Sequence, residues 1–163
     1  IYLESNLFNS GVRPAINAGI SVSRVGGNAQ VKGMRSVAGT LRLELAQFRE
    51  LEAFSQFGSD LDEATQARLR RGERLVEILK QPQFSPLSAE KQIIIIFATT
   101  NGYLDNVDLK SIAQYEIDLY HHIETEAPDF LNALVDTGNL SDELKETLNK
   151  ELRTFTEKFI DAQ

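Results

Sequence analysis

The hydrophobic pattern of this chain changes period once, near residue 29, and that change limits the fold more than any other feature. Beyond it, Met34, Ala38, Leu41, Leu45 and Phe48 recur at alternating spacings of four and three, which places them on one face of an α-helix. Val31, Leu51, Phe54 and Phe57 widen the stripe, so the segment reads as a long amphipathic helix with Gly58 as its stop. Gly33 and Gly39 inside it each cost up to about 1 kcal/mol relative to alanine, a loss that close packing against another backbone offsets.

Helical signals continue to the end of the chain. Ser59 to Asp62 can cap a helix running toward Lys80, with a break at Gly72. Pro82 and Pro86 make 81–86 a loop. Ser88 caps a segment through about Asn101, ending at Gly102. Its run Ile93 to Ile96 has strand propensity, so a buried strand competes there, but helix signals on both sides favour a buried helix. A further helix fits Asp108 to Thr125, with Ile112, Tyr115, Leu119 and His122 helically spaced. Pro128 suits the first turn of a short helix through Val135, followed by a turn at Thr137-Gly138-Asn139. Ser141 caps the last helix, whose apolar face is Leu144, Leu148, Leu152, Phe155 and Phe159. Asp142 and Glu143 sit at its positive end.

Before residue 29 the period is two. Ile20 and Val22 alternate with Ser21 and Ser23, and Ile1-Tyr2-Leu3 also reads as a strand, with Gly11, Pro14 and Gly19 as punctuation. The expected architecture is therefore mainly α: a β stub over residues 1–28, then a bundle of about six helices over 29–163. The chain opens on an apparent strand rather than on methionine, so a piece of a longer polypeptide is expected.

Composition narrows the partners. A net charge of −7 argues against nucleic acid or an anionic membrane as the main partner. With no cysteine there are no disulfides and no thiolate metal sites. The longest apolar run, Ile93 to Ala98, is far shorter than the ~20 residues of a membrane span.

The chain carries no Gly-x-x-x-x-Gly-Lys-Ser/Thr phosphate cradle; Gly26-Gly27 and Lys32-Gly33 have suitable residues at the wrong spacing. Nor does a strand end in a magnesium-binding aspartate, so the chain alone is expected neither to bind ATP tightly nor to hydrolyse it. Arg24 follows a strand and precedes Gly26-Gly27, where the backbone can turn sharply. An arginine so placed is either a phosphate clamp or a surface ion-pair partner. Phe8, Arg13 and Pro14, with Gln81 and Gln83, offer a flat apolar surface and amide edges suited to a purine; the same residues also suit a loop held by ordinary hydrogen bonds. The acidic stretch from Glu44 to Asp62 reads first as a solvated helix face. His121 and His122 are adjacent, so a helix splays them about 100° apart and they cannot share a metal in the i, i+4 manner. Glu124 and Glu126 form no acid–base constellation.

Five blocks carry a resemblance: Ile1 to Asn17, Gly19 to Gly27 with Ser21-Val22-Ser23-Arg24, the run Val37 to Phe48, Gln56-Phe57-Gly58-Ser59-Asp60-Leu61-Asp62, and Gly102-Tyr103-Leu104-Asp105. In order, they resemble the C-terminal third of the alpha subunits of F-type, proton-translocating ATP synthases. The resemblance implies that residues 1–28 are the last strands of a P-loop nucleotide-binding domain and 29–163 its C-terminal helical domain. It implies that Arg24 is an arginine finger acting in trans on ATP held by a beta subunit, with Val22 and Ser23 lining that interface. Phe8, Arg13, Pro14, Gln81 and Gln83 would surround the adenine of a non-catalytic nucleotide, although Pro82 stands where the family often has glycine. Ser59, Asp60 and Asp62 would face the rotating central shaft. The implied cofactors are ATP or ADP with magnesium in the intact complex, and none for the isolated chain. The implied partners are beta subunits, the central shaft (gamma) and the peripheral stalk. Membrane contact would come only through the complex, on the cytoplasmic face of a bacterial plasma membrane or on a thylakoid or mitochondrial inner membrane. Two other readings are a stand-alone helical interaction module without a nucleotide role, and a secretion or flagellar ATPase subunit.

Overall fold

The structure, a computed structural model, describes residues 1–55 and 61–162. Among these, a short helix α1 (Ser5–Asn9) precedes six longer ones: α2 (Lys32–Ser55), α3 (Glu63–Ile78), α4 (Ala89–Thr100), α5 (Ile112–Glu126), α6 (Pro128–Thr137) and α7 (Asp142–Asp161). Two 3-10 turns, Gly26–Ala29 and Leu109–Ser111, lead into α2 and α5. The mainly helical reading holds. The expected stop at Gly58 lies outside the described residues.

Caps set several boundaries. Asp62 accepts the Thr65 backbone N–H at 2.9 Å to open α3, and Ser141 accepts that of Leu144 at 3.3 Å to open α7. Pro128 occupies the first turn of α6, and Gly138 closes it at φ 58°, a left-handed conformation that glycine adopts without a Cβ clash.

Helix α4 lies at the centre, packed by α2, α3 and α6. Every residue from Ile93 to Thr99 is buried. A helix buried on all sides shows no polar stripe, which is why periodicity alone left a strand in competition there. On the far side, α5 packs on α3, α6 and α7. Tyr115 of α5 meets Phe155 and Phe159 of α7 edge-on, each at 5.1 Å between ring centroids, and its hydroxyl pairs with Thr156 at 2.7 Å.

Two glycines explain how the helices approach. At Gly72 a Cβ would fall 2.1 Å from the Phe48 ring, so α3 runs through the expected break unbroken and uses glycine to lie against α2. At Gly33 a Cβ would meet Ile93 Cδ1 at 3.0 Å and the Leu140 backbone nitrogen at 3.3 Å, while the Gly33 N–H donates to the Gly138 carbonyl at 2.8 Å. The start of α2 is thereby fixed to the turn between α6 and α7. Gly39 has open space around it among the described residues, so the close packing expected there is not formed.

The expected β stub reduces, among the described residues, to one antiparallel bridge, Leu3 with Ile16. Residues 20–23 form no strand. Their alternation is real but has no ladder to serve it. The Ser21 hydroxyl instead accepts the Tyr2 N–H at 3.0 Å and donates to the Asn17 carbonyl at 2.6 Å, and Ile20 and Val22 remain 51% and 82% exposed.

Candidate functional site

Two segments far apart in sequence meet beside α3. The loop after α3, residues 81–86, lies against the turn at 11–15, where the Gln81 N–H donates to the Arg13 carbonyl at 2.8 Å. Between them is an open groove of about 1170 Å³. Phe8, Arg13, Pro14, Gln81 and Gln83 all line it. The Arg13 guanidinium carbon lies 4.1 Å from the centroid of the Phe8 ring, a cation–π stack that leaves Phe8 50% exposed. Gln81 spends one amide N–H on the Ser85 carbonyl at 2.5 Å, which closes the loop on itself. Gln83 is exposed and has no hydrogen bond among the described residues.

Three further groove residues were not read from sequence. Phe84 has φ 61° and is 91% exposed. A bulky residue in the left-handed region carries backbone strain, and here it presents a whole ring to solvent beside the groove. Lys80 is neutralised by Glu77 at 2.5 Å. Glu116 accepts the Tyr120 hydroxyl at 2.7 Å, and burial raises its pKa above the ordinary carboxylate value while that hydrogen bond opposes the shift. The only sequence signal for Phe84 is its place between Gln83 and Ser85-Pro86; Lys80 and Glu116 have none.

Arg24 is exposed on the loop before the Gly26–Ala29 turn, and among the described residues it has no hydrogen-bond or ion-pair partner. The surface ion pair that competed for it is therefore absent among those residues. Val22 and Ser23 are exposed beside it, and Ser23 Oγ accepts the Gly26 N–H at 3.0 Å. Ser59 and Asp60 lie outside the described residues. Asp62 is exposed at the start of α3, where hydrogen bonds from Thr65 lower its pKa. Among the described residues no His, Asp and Glu cluster of three or more is placed to hold a metal, and no helix is long and apolar enough to cross a membrane.

The block Gly102 to Asp105 has a structural role. Arg74 of α3 is buried and donates to the carbonyls of Leu104 at 3.0 Å, Val107 at 2.7 Å and Arg70 at 3.0 Å. Arg71 forms a bidentate pair with Asp105, at 3.1 and 2.5 Å. Gly102, at φ 82°, leaves room for that guanidinium.

Residues 30–155 match the family described as ATP synthase alpha/beta chain, C terminal domain. The chain belongs to this ATP synthase family. It is 59% identical over 159 residues to ATP synthase subunit alpha of Desulfotalea psychrophila, and 54% identical over 160 residues to ATP synthase subunit alpha of Aquifex aeolicus. Each match covers 98% of this chain but 31% and 32% of the relative, so the chain spans about a third of the length of these ATP synthase alpha subunits. The likeness to alpha subunits read from the sequence therefore holds along nearly the whole chain.

Proposed function

We propose that the chain works as the C-terminal part of an ATP synthase alpha subunit, in two nucleotide-directed roles. It supplies Arg24 in trans to ATP held by a beta subunit, and it forms one wall of a non-catalytic adenine pocket. The observation that carries the second role is the groove, in which Phe8, Arg13 and Pro14 face Gln81 and Gln83 across some seventy residues of sequence.

The groove's chemistry suits a base rather than a phosphate. Aromatic and proline surface can stack on a purine, and the amide of Gln83 is free to pair with its edge. The carboxylate of Glu116 disfavours a polyphosphate there, Lys80 and Glu77 neutralise each other, and Arg13 is stacked on Phe8. The phosphates and their magnesium would lie outside these residues, on the P-loop domain that the family's alpha subunits carry.

Arg24 suits the other role because it is exposed and, among the described residues, uncommitted. Guanidinium stays charged at all working pH values and offers a planar fork of donors. Presented from a neighbouring subunit, it neutralises charge that builds on a transferring phosphoryl group, worth ~10³–10⁵ in rate. Val22 and Ser23 would line that interface. Asp62, with Ser59 and Asp60, would face a basic helix of the central shaft. Beta subunits, the gamma shaft and the peripheral stalk are the partners, and through them the complex sits on a membrane that holds its proton channel, without a membrane span from the described residues.

The adenine reading is tested in the full-length subunit assembled with beta. After gel filtration, Gln83→Ala and Phe8→Ala complexes should retain fewer tightly bound nucleotides per complex than wild type while hydrolysis persists. Unchanged nucleotide retention in both variants would remove the adenine reading.

A further inference from the structure

We infer that Arg35, in the first turn of α2, is a positioning residue for Arg24 and ties the arginine loop to the helical bundle. The inference rests on the arginine-finger reading above. Arg24 sits on a loop anchored on both sides. Upstream, Ser21 bonds Tyr2 and Asn17, and the Asn17 side-chain oxygen accepts from Arg49 of α2. Downstream, the chain closes into a compact turn, with Gly26 N–H on Ser23 Oγ at 3.0 Å and Asn28 N–H on the Val25 carbonyl at 3.0 Å.

Arg35 grips that turn from α2. Its Nε donates to the Gly27 carbonyl at 2.8 Å and its Nη2 to the Gln30 carbonyl at 3.4 Å. Arg35 has no acidic partner among the described residues, and its partners there are these two backbone carbonyls. Two residues earlier, Gly33 is bonded to Gly138 between α6 and α7. The chain of contacts therefore runs from the α6–α7 turn through the start of α2 and Arg35 to the turn that follows Arg24. A displacement of the bundle carries the arginine loop with it. Without the Arg35 guanidinium, the loop keeps its upstream anchor and loses this side-chain tether to α2.

The test uses the full-length subunit assembled with beta. Alanine at this exposed helical position favours the helix, so Arg35→Ala should fold and assemble. It should lower kcat for ATP hydrolysis about ten- to a hundredfold, as a small misplacement of a catalytic group does, with KM unchanged. Arg35→Lys should recover much of the rate, because an ammonium can still donate to the Gly27 carbonyl. In an Arg24→Ala background, Arg35→Ala should add little, since both act through one group. Amide exchange at Asn28 and Gln30 should be faster in Arg35→Ala than in wild type. A wild-type rate for Arg35→Ala, a loss that multiplies with that of Arg24→Ala, or unchanged exchange at those amides overturns the inference. A wild-type rate for Arg24→Ala itself removes the finger reading instead, and the exchange experiment then still decides whether Arg35 holds the turn.

Discussion

Replacing Gly72 with alanine sets two physical effects against each other, and the geometry decides which wins. Alanine gains up to about 1 kcal/mol over glycine in a helix interior. Its Cβ, however, would lie 2.1 Å from Phe48 Cδ2, 2.2 Å from Cγ and 2.6 Å from Cβ. Carbon atoms prefer about 3.5–4.0 Å. Turning the Phe48 ring moves Cδ2, and a change of χ1 moves Cγ, but neither moves Cβ, which the α2 backbone fixes. The two helices must therefore separate by about 1 Å, opening the core at a side chain that is 7% exposed. Overpacking of this kind costs about 1–3 kcal/mol and occasionally more. With an overlap this deep, Gly72→Ala should be destabilising by about 2 kcal/mol net, which lowers Tm by about 4–8 °C for a chain of this size. Thermal unfolding followed by circular dichroism at the helix band measures it. Phe48→Ala should cost less in the Gly72→Ala background than in wild type, because the new methyl fills part of the cavity. A rise in Tm on Gly72→Ala would mean that propensity dominates and that α2 and α3 do not touch this closely.

Three other outcomes follow from the same structure. Arg74→Leu strands the Leu104 and Val107 carbonyls and should be destabilising by about 3 kcal/mol in urea unfolding. Burial raises the Glu116 pKa, so the fold holds that proton more tightly than the unfolded chain does. The stability this contributes is present below the ordinary value of 4.5 and is lost as pH rises through the raised folded value. Glu116→Gln should therefore flatten the fall in the urea midpoint between pH 4.5 and the raised folded value. Phe84→Gly relieves a left-handed backbone and should be stabilising by about 1 kcal/mol, yet it should weaken nucleotide retention in the assembled complex if the exposed ring stacks on the base.

The helices were legible because their signals are local. Ser141 and Asp62 cap where polar side chains precede apolar periodicity, and Pro128 and Gly138 bracket α6 as their backbone preferences demand. Gly72 misled because a glycine that ends a helix and a glycine that admits a neighbouring ring look alike in sequence. The strand at 20–23 misled because alternation shows a preference, whereas a strand exists only with a partner to bond. The groove residues were recognisable by type and family likeness, but their meeting depends on the Gln81–Arg13 backbone bond, which no periodicity encodes. Arg35, Arg71 and Arg74 were hidden for a related reason. Their partners are backbone carbonyls and a loop aspartate brought near only by the packing of the helices.

The most direct test of the account is steady-state ATP hydrolysis by the assembled alpha–beta complex carrying Arg24→Ala, with nucleotide binding measured on the same sample. The account predicts a rate lower by about a hundredfold or more with binding retained. A near-normal rate in a correctly assembled complex would contradict it and leave Arg24 as an interface residue without a part in phosphoryl transfer.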